Sequence, residues 1–284
     1  MATPIASQPL PLRVMTPDDL PGALALSQKL SWPHRLEDWQ LMLRHSHGVV
    51  MEDEGRVVAT ALCCVQGGFS TIGLVIVADE YQGKGLGRRL IEAVLEMSGA
   101  AVATLTATVE GAPLYVKLGF TECGHLAQHQ AVLAADYQAP VTDWIRPLVA
   151  GEHAAAVALA EAGSGFSRDA LMTELLAISE RAHVIELHGQ LVGLALLRPF
   201  GRGVIIGPVV AQTPDQARAL IESLLNHCAD RFVRLDVTGT SGLSPWLSTL
   251  GLTNVGEPIQ MARGAVPAGQ NGITQYAVVT QALG

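Results

Sequence analysis

The chain has 284 residues, of which 49% are hydrophobic and 15% charged, and its formal net charge is −8. This apolar content can fill a sizeable core and excludes an intrinsically disordered chain. At roughly 150 residues per domain, the length predicts about two domains. No run of lysine or arginine offsets the acidic balance, so nucleic acid is not expected as a partner.

The apolar segments are too short for a membrane protein, although the mean hydropathy is +0.31. None approaches the roughly 20 residues of a spanning helix. The first basic residue is Arg13, so no secretory signal is expected either. The cysteines have no metal-binding spacing, and we expect thiols in a reducing, cytoplasmic compartment. They are Cys63, Cys64, Cys123 and Cys228.

Four segments of the first half recur in the second half in the same order. The matched pairs are residues 13–26 with 146–159, 50–62 with 184–196, 90–95 with 220–225, and 113–120 with 245–252. The offsets stay between 130 and 134 residues. Fixed self-similarity of this kind is typical of repeated structural units. The sequence therefore predicts one domain made twice, with bounds at residues 1–138 and 139–284.

The first copy has a regular succession of predicted elements. Hydrophobic periodicity and turn residues give the order strand, two helices, three strands, helix, strand, helix, strand. This order predicts the α/β class, with a mixed sheet covered by helices. The predicted elements are a helix after Asp18 or Asp19, a short helix after Pro33, strands at 49–52, 56–65 and 72–77, a helix at 86–97, a strand at 102–108, a helix at 112–118 and a strand at 120–132.

The strongest local motif is glycine-rich. Residues 75–90 (VIVADEYQGKGLGRRL) run from an apolar strand through Gly83, Gly85 and Gly87 into a helix. A helix N-terminus exposes unpaired N–H groups and the positive end of the dipole. Glycine lets the backbone approach a phosphate closely. The motif therefore predicts an anion-binding loop.

Two familiar phosphate loops do not fit this motif. The P-loop pattern fails because Lys84 is followed by Gly85, and the dinucleotide pattern fails because its last position would be Arg88 or Leu90. A third pattern, Q/R-x-x-G-x-G/A, is met at every position by residues 82–87.

A second motif, APLYVKLGF, follows the glycine loop at residues 112–120. With these two motifs and the element order, the chain resembles the GNAT (Gcn5-related) N-acetyltransferase superfamily. The resemblance covers residues 10–135 and, more distantly, residues 145–284. It implies two tandem GNAT folds and transfer of acetyl from acetyl-CoA to a primary amine of a small molecule or peptide.

The resemblance also implies roles for particular residues. The strand pairs with the pantetheine arm, the loop holds the pyrophosphate, and Tyr115 protonates the departing thiolate. The alternative for Tyr115 is a core tyrosine that bonds a carbonyl. Asp79 replaces a common proline and Val109 a common asparagine. The residues implied to bind acetyl-CoA are Val75, Ile76, Val77, Gln82, Gly83, Lys84, Gly85, Leu86, Gly87, Arg88 and Ala112.

The base and the acceptor site are less well marked. Glu110 precedes the tyrosine-bearing helix and is either the general base or a helix-start acid. His125 and His129 share one face of a predicted strand, where they line the acceptor cleft or cover the sheet edge. Trp32 and His34 lie between the first two helices and either contact the acceptor or pack a loop. No third ligand has metal spacing, so no metal is expected.

The second copy lacks both chemical features. Its segment at residues 212–218 is three residues shorter and has no glycine, and Asp215 adds negative charge. Leu247 aligns with Tyr115 and cannot donate a proton. We therefore expect a degenerate GNAT-like domain that supports the first domain or walls its acceptor pocket.

Three questions stay open at this stage. A non-enzymatic acyl-CoA-binding or sensor module is the alternative to an enzyme. Another acyl donor or an oxygen acceptor is also compatible with the motifs. The chain is expected to be a monomer or a homodimer.

Overall fold

The computed structural model describes residues 10–140 and 142–284. The helices and strands of the first half occur in the predicted order, so that prediction is confirmed. Its elements are β1 (Leu12–Val14), α1 (Leu20–Lys29), α2 (Leu36–Arg44), β2 (Ser46–Asp53), β3 (Arg56–Gln66), β4 (Phe69–Val77), α3 (Leu86–Ser98), β5 (Val102–Ala107), α4 (Ala112–Lys117) and β6 (Thr121–Val132).

The second half repeats this order and adds two strands. Its elements are β7 (Ile145–Pro147), α5 (His153–Ser164), α6 (Asp169–Ile178), β8 (Arg181–Leu187), β9 (Gln190–Phe200), β10 (Gly203–Ala211), α7 (Pro214–Leu225), β11 (Phe232–Thr238), α8 (Ser244–Thr249), β12 (Thr253–Gly256), β13 (Ile259–Arg263) and β14 (Thr274–Ala277). The predicted boundary at residues 138 and 139 lies in the segment between β6 and β7.

The strands form one mixed sheet that runs through both halves. Its order is β1-β2-β3-β4-β5-β13-β6-β11-β14-β10-β9-β8-β7, and β12 pairs with β6. β4 and β5 are parallel, as are β10 and β11, whereas the hairpins β2–β3 and β8–β9 are antiparallel. The observed architecture confirms the predicted α/β class.

The two halves exchange strands at the centre of the sheet. β13, from the second half, lies between β5 and β6 of the first half. β6 is long enough to serve both halves, because residues 121–125 pair with β13 and residues 126–132 pair with β11. A cut at residue 138 therefore separates the sequence repeats but not the sheets.

Apolar side chains on the helices hold the sheet from its two faces. In α3, Leu90, Ile91 and Val94 are fully buried, at the helical spacing that the sequence predicts. Two apolar clusters contain residues of both halves, and the second, around α7, includes Ala127 and Leu133 from the end of the first half. The interface between the halves is therefore part of the main core.

Two findings bear on the class of protein. No helix among the described residues is both long and apolar enough to cross a membrane. In the same residues, no three His, Cys, Asp or Glu side chains gather as metal ligands would. The cysteines are free thiols, and Cys123 is exposed whereas the other three are buried.

Candidate active site

β4 and β5 form a fork that opens at one end. Residues 69–72 of β4 pair with residues 102–105 of β5, and the pairing stops there. The next part of β4 is irregular: Leu74 has a φ of 52°, and its carbonyl accepts a hydrogen bond of 2.8 Å from the Thr60 hydroxyl. Residues 75–77 then continue beside β3 only, so their other edge faces the fork. An exposed strand edge of this kind can pair with an extended ligand.

The glycine loop leads from this strand to an open helix N-terminus. Gly83 and Gly85 have φ values of 73° and 78°, and a Cβ at either position would meet no atom within 4 Å. α3 has no side-chain cap. The N–H groups of its first turn therefore point outward without an intrahelical partner. The loop has the backbone and the space to bind a phosphate group.

Side chains within the loop hold it against β4. The Gln82 amide donates to the Val77 carbonyl at 3.1 Å and to the Asp79 carboxylate at 3.0 Å. Asp79, which stands where the family often has proline, therefore holds the glutamine in place. Lys84 donates to the Glu80 carbonyl at 2.9 Å, and its ammonium lies at the edge of the loop rather than in the fork.

Tyr81 anchors the loop from outside, and sequence reasoning missed it. Its hydroxyl donates to the Asp53 carboxylate on the β2–β3 hairpin, and the Lys84 ammonium lies 4.8 Å from its ring centroid. Arg56 of the same hairpin pairs with Glu80 at 2.9 Å. Only a tertiary contact identifies Tyr81, because its position in the sequence is that of an ordinary turn residue.

Tyr115 lies on α4, close to the start of α3. A Cβ at Gly87 would lie 3.0 Å from Leu114 Cδ2, so the glycine allows the two helices to approach. Tyr115 is 8% exposed and packs edge-to-face on Phe120 at 6.1 Å. Burial raises the pKa of its hydroxyl to about 12. The side chain is therefore protonated at neutral pH, as a proton donor must be.

Glu110 lies in the turn before α4. It is exposed, as is Val109, whose exposed fraction is 72%. Thr108 closes this turn by accepting a hydrogen bond of 3.1 Å from the Gly111 N–H. Ala112, the first residue of α4, is partly buried against the core. Glu110 is thus near Tyr115 in the chain and open to solvent.

Trp32 and His34 lie at the interface between the halves. The His34 ring packs edge-to-face on Trp32, on Trp39 and, at 5.7 Å, on Phe200 of β9. Burial lowers the pKa of His34 to about 4. The second half therefore contacts the α1–α2 segment at His34, whereas Ser31 and Leu36 of this segment are exposed.

The two histidines of β6 differ in burial, although both lie near the segment from Gly239 to Ser244. His129 is 0% exposed, and its ring nitrogens pair with the Leu252 carbonyl and the Ser244 hydroxyl, each at 2.9 Å. His125 is exposed and lies beside Gly239. β6 changes its neighbouring strand between them, from β13 at His125 to β11 at His129.

The fork of the second half is occupied by the chain itself. β10 and β11 pair at only two positions before they separate. β14 lies between them, with Thr274 and Gln275 beside Ala211 and Val210, and Ala277 beside both neighbours. Ala59 lies opposite Val77, and its counterpart in the repeat, Gly193, lies opposite Ala211. β14 therefore covers the edge that corresponds to residues 75–77.

The start of α7 is closed as well. Thr213 Oγ1 accepts a hydrogen bond of 3.2 Å from the Gln216 N–H, and Gln216 Oε1 accepts from the N–H of Gln212 at 3.0 Å and of Thr213 at 3.3 Å. Pro214, the first residue of α7, has no N–H. The backbone donors that α3 leaves open are here largely satisfied within the chain.

Comparisons with known proteins agree with this geometry. Two sequence models, each described as an acetyltransferase (GNAT) domain, match residues 44–122 and residues 156–277. An uncharacterized N-acetyltransferase of Bacillus subtilis (strain 168), YitH, is 28% identical over 269 residues, which are 93% of this chain and 94% of YitH.

Two solved structures show the same fold over most of the chain. A putative acetyltransferase from Pyrococcus horikoshii has a TM-score of 0.82 at 17% identity, with 100% of this chain and 99% of the other covered. A tandem GNAT protein from the clavulanic acid biosynthesis pathway has a TM-score of 0.60 at 15% identity, with 89% and 98% covered. The chain therefore belongs to the GNAT family of acetyltransferases and contains one GNAT domain in each half.

Proposed function

We propose that the first domain transfers the acetyl group of acetyl-CoA to a primary amine of a small molecule or peptide. The observation that carries the proposal is the open β4–β5 fork beside the uncapped start of α3. A strand edge for an extended amide-containing arm and a cluster of N–H groups for a diphosphate lie next to each other there. The second domain offers neither.

Each part of this site has a proposed task. The edge of residues 75–77 would pair with pantetheine, and the N–H groups of residues 83–88 would hold the pyrophosphate. A backbone N–H of the same edge would stabilise the oxyanion of the tetrahedral intermediate. The amine nitrogen forms a bond to the acetyl carbon, the carbon–sulfur bond breaks, and Tyr115 gives its proton to the thiolate.

The amine must be neutral before it attacks. We propose Glu110 as the base, acting through water, because its carboxylate is exposed and has no hydrogen-bond partner among the residues that the structure describes. Transfer of the acetyl group from CoA then balances as follows. The ammonium loses one proton through water to Glu110 before the attack, and the nitrogen loses a second proton as the amide forms. The thiolate gains one proton from Tyr115, which is then protonated again from solvent. We infer that this takes place in the cytoplasm.

The second domain, which we place at residues 139–284 against 1–138 for the first, is proposed to bind no acyl-CoA. Its fork holds β14, and the start of α7 is capped. It would instead wall the acceptor side of the first domain, since Phe200 packs on His34 between α1 and α2.

Two measurements on the intact chain test the proposal. Isothermal titration with acetyl-CoA should give one site per chain, and release of free CoA should depend on an added amine from a panel of small amines and peptides. Binding without transfer or hydrolysis would identify a sensor module instead. Two acetyl-CoA sites per chain would contradict the role given to the second domain.

A further inference from the structure

One arginine side chain, that of Arg198, is buried at the interface between the domains. Arg198, on β9, is 0% exposed. Its Nη2 donates to the Val279 carbonyl at 2.7 Å, but Nε and Nη1 have no hydrogen-bond partner among residues 10–140 and 142–284. Burial lowers its pKa to about 10, so the side chain is charged at neutral pH. A buried charge with unpaired donors is costly.

The nearby carboxylates are already committed to other partners. Asp38 accepts from Arg35 at 2.7 Å and from the Gly201 N–H at 2.9 Å. Asp236 accepts from Arg234 Nη2 at 2.8 Å and from the Gln281 amide at 3.2 Å. Each carboxylate thus neutralises one guanidinium, and the charge of the third, on Arg198, has no counter-ion in the cluster.

A second fully buried arginine, Arg168, differs from Arg198 in its hydrogen bonds. Arg168 Nε donates to the Gln66 side chain at 3.2 Å and Nη1 to the Gln275 side chain at 3.1 Å. Its Nη2 donates to the carbonyls of Leu283 and Gly284. All three nitrogens of Arg168 are therefore paired, so the unpaired atoms of Arg198 are not a general feature of buried arginines in this fold.

Other unpaired polar atoms lie in the same region. His34 Nδ1 and Thr280 Oγ1 are buried and have no partner among the described residues. The Phe200 ring lies 5.7 Å from the His34 ring and 5.5 Å from the Arg198 guanidinium, so it lies between these groups. The cluster thus combines a cation, further hydrogen-bonding atoms and an aromatic wall.

The cluster is connected to the acceptor side of the first domain. Arg198 contacts Val279, and three residues later Ala282 packs on Gly73, whose Cβ position would lie 2.5 Å from that of Ala282. Three residues span about 10 Å at most. Gly73 precedes the irregular residue Leu74 at the mouth of the β4–β5 fork. Only a short stretch of chain therefore separates the fork from Arg198, and an acceptor bound at both would need only modest length.

We propose that Arg198 binds a carboxylate of the acceptor, so that the acceptor is an amine that also carries a carboxylic acid. This inference rests on the proposed acetyl transfer. The carboxylate would supply the missing counter-ion and accept from Nε and Nη1 of this buried side chain. Charge-assisted hydrogen bonds in such surroundings are among the stronger ones in proteins.

Pairs of acceptors that differ only in this group test the proposal. The probes are glycine, β-alanine and 4-aminobutyrate, each against its carboxamide, with acetyl-CoA and release of free CoA as the assay. We expect kcat/KM to favour the acid by about tenfold or more for at least one length. The difference should lie in KM rather than kcat, because Arg198 binds the acceptor and does not touch the acetyl group.

The variant Arg198→Met should abolish this preference by raising KM for the acids to the level of the carboxamides. Arg231→Met is the matched control, since Arg231 is a partly exposed arginine of the second domain that pairs with Glu180. It should keep the wild-type preference. If Arg198→Met fails to fold, the comparison of acids with carboxamides on the wild-type chain still decides the matter.

A binding assay separates failure of this inference from failure of the proposed function. Thermal unfolding of the wild type and of Arg198→Met is measured with each probe and with acetate, in the absence of acetyl-CoA. Stabilisation by the acids alone, lost in Arg198→Met, supports the carboxylate site even if no acetyl transfer occurs. Equal effects of acid and carboxamide in both assays overturn it. Stabilisation by acetate without any preference in transfer identifies a site for a free anion and also overturns it.

Discussion

The fork of the first domain is open, and the fork of the second is filled by its own chain. In the first, residues 75–77 lack a neighbour on the β5 side, and α3 begins without a cap. In the second, β14 pairs with the matching residues of β10, and Thr213 and Gln216 cap α7. The helices and strands around the two forks follow the same order.

This difference shows that the fold and the chemistry are specified by separate residues. The pattern Leu-Ile-Glu at the centre of α3 recurs in α7, and in both helices the Leu and Ile are fully buried. The glycines before α3 and the tyrosine of α4 have no counterpart. Packing of the helix therefore persists without the site that its N-terminus forms in the first domain.

The largest effect is expected from Gly85→Glu. The φ of 78° disfavours any residue with a side chain, and the carboxylate would point into the loop that is proposed to hold the pyrophosphate. Acetyl-CoA binding measured by titration calorimetry should fall below detection. Gly85→Asn tolerates the same φ and should retain weaker binding. Asp215→Lys, at the exposed start of α7, should change nothing, and retained binding in Gly85→Glu would refute the loop assignment.

Tyr115→Phe removes the proposed donor without removing its ring. We expect turnover to fall by about 10²- to 10⁴-fold, the usual contribution of general acid catalysis. Affinity for acetyl-CoA should be unchanged, because the Phe120 packing is retained. The control is Tyr276→Phe on β14, which should have wild-type turnover. Unchanged turnover in Tyr115→Phe would remove this residue from the mechanism.

The helices and strands of each repeat could be predicted from the sequence, because their patterns are local. The helix at residues 86–97 and the strand at 120–132 agree with α3 and β6 to within a residue at each end. The glycine loop was equally visible, since positive φ values at Gly83 and Gly85 are a property of the residue type. These features depend on neighbours within a few positions.

The exchanged strands and the buried charges could not be predicted. β13 pairs with β5 across more than a hundred residues, and a strand pattern does not name its partner. Arg198 and Asp38 are equally far apart in the chain, and each alone is an ordinary charged residue. The burial of His129 and the exposure of His125 could not be predicted either, because the strand that pairs with β6 changes between them.

A variant that disrupts β14 tests how much its pairing with β10 and β11 stabilises the second domain. Ala277 is 0% exposed and pairs with both Val209 and Val237. Ala277→Pro removes the N–H and adds a ring there, and it should lower the free energy of unfolding by about 3 kcal/mol. Ala277→Gly keeps the N–H and should cost about 1 kcal/mol. Urea denaturation measures both values.

The number of acetyl-CoA molecules bound per chain of Ala277→Pro shows whether β14 is what keeps the second fork from binding acetyl-CoA. It should stay at one per chain, because the capped start of α7 offers few backbone donors even when the fork is released. Two bound acetyl-CoA molecules would show that β14 alone keeps the second domain from binding, and the role of the Thr213 and Gln216 cap would then be rejected.

The smallest expected effect is a loss of folding stability at acid pH, to which one buried histidine of each domain contributes. Burial lowers the pKa of His34 in the first domain and of His183 in the second to about 4. The unfolded chain takes up these protons near pH 6.5. Stability is therefore complete above that pH, declines as the pH falls toward 4, and loses nothing more from these groups below it.

Single variants measure how much of this loss in unfolding free energy comes from each domain. His34→Gln and His183→Gln should each flatten the decline in unfolding free energy between pH 6.5 and pH 4, as measured by urea denaturation at several pH values. His153→Gln, at the exposed start of α5, should leave the slope unchanged. Because Phe200 packs on His34, a flatter slope from His34→Gln would also show that the interface between the domains opens in the same transition as the domains themselves. An unchanged slope would mean that His34 is already solvated before global unfolding.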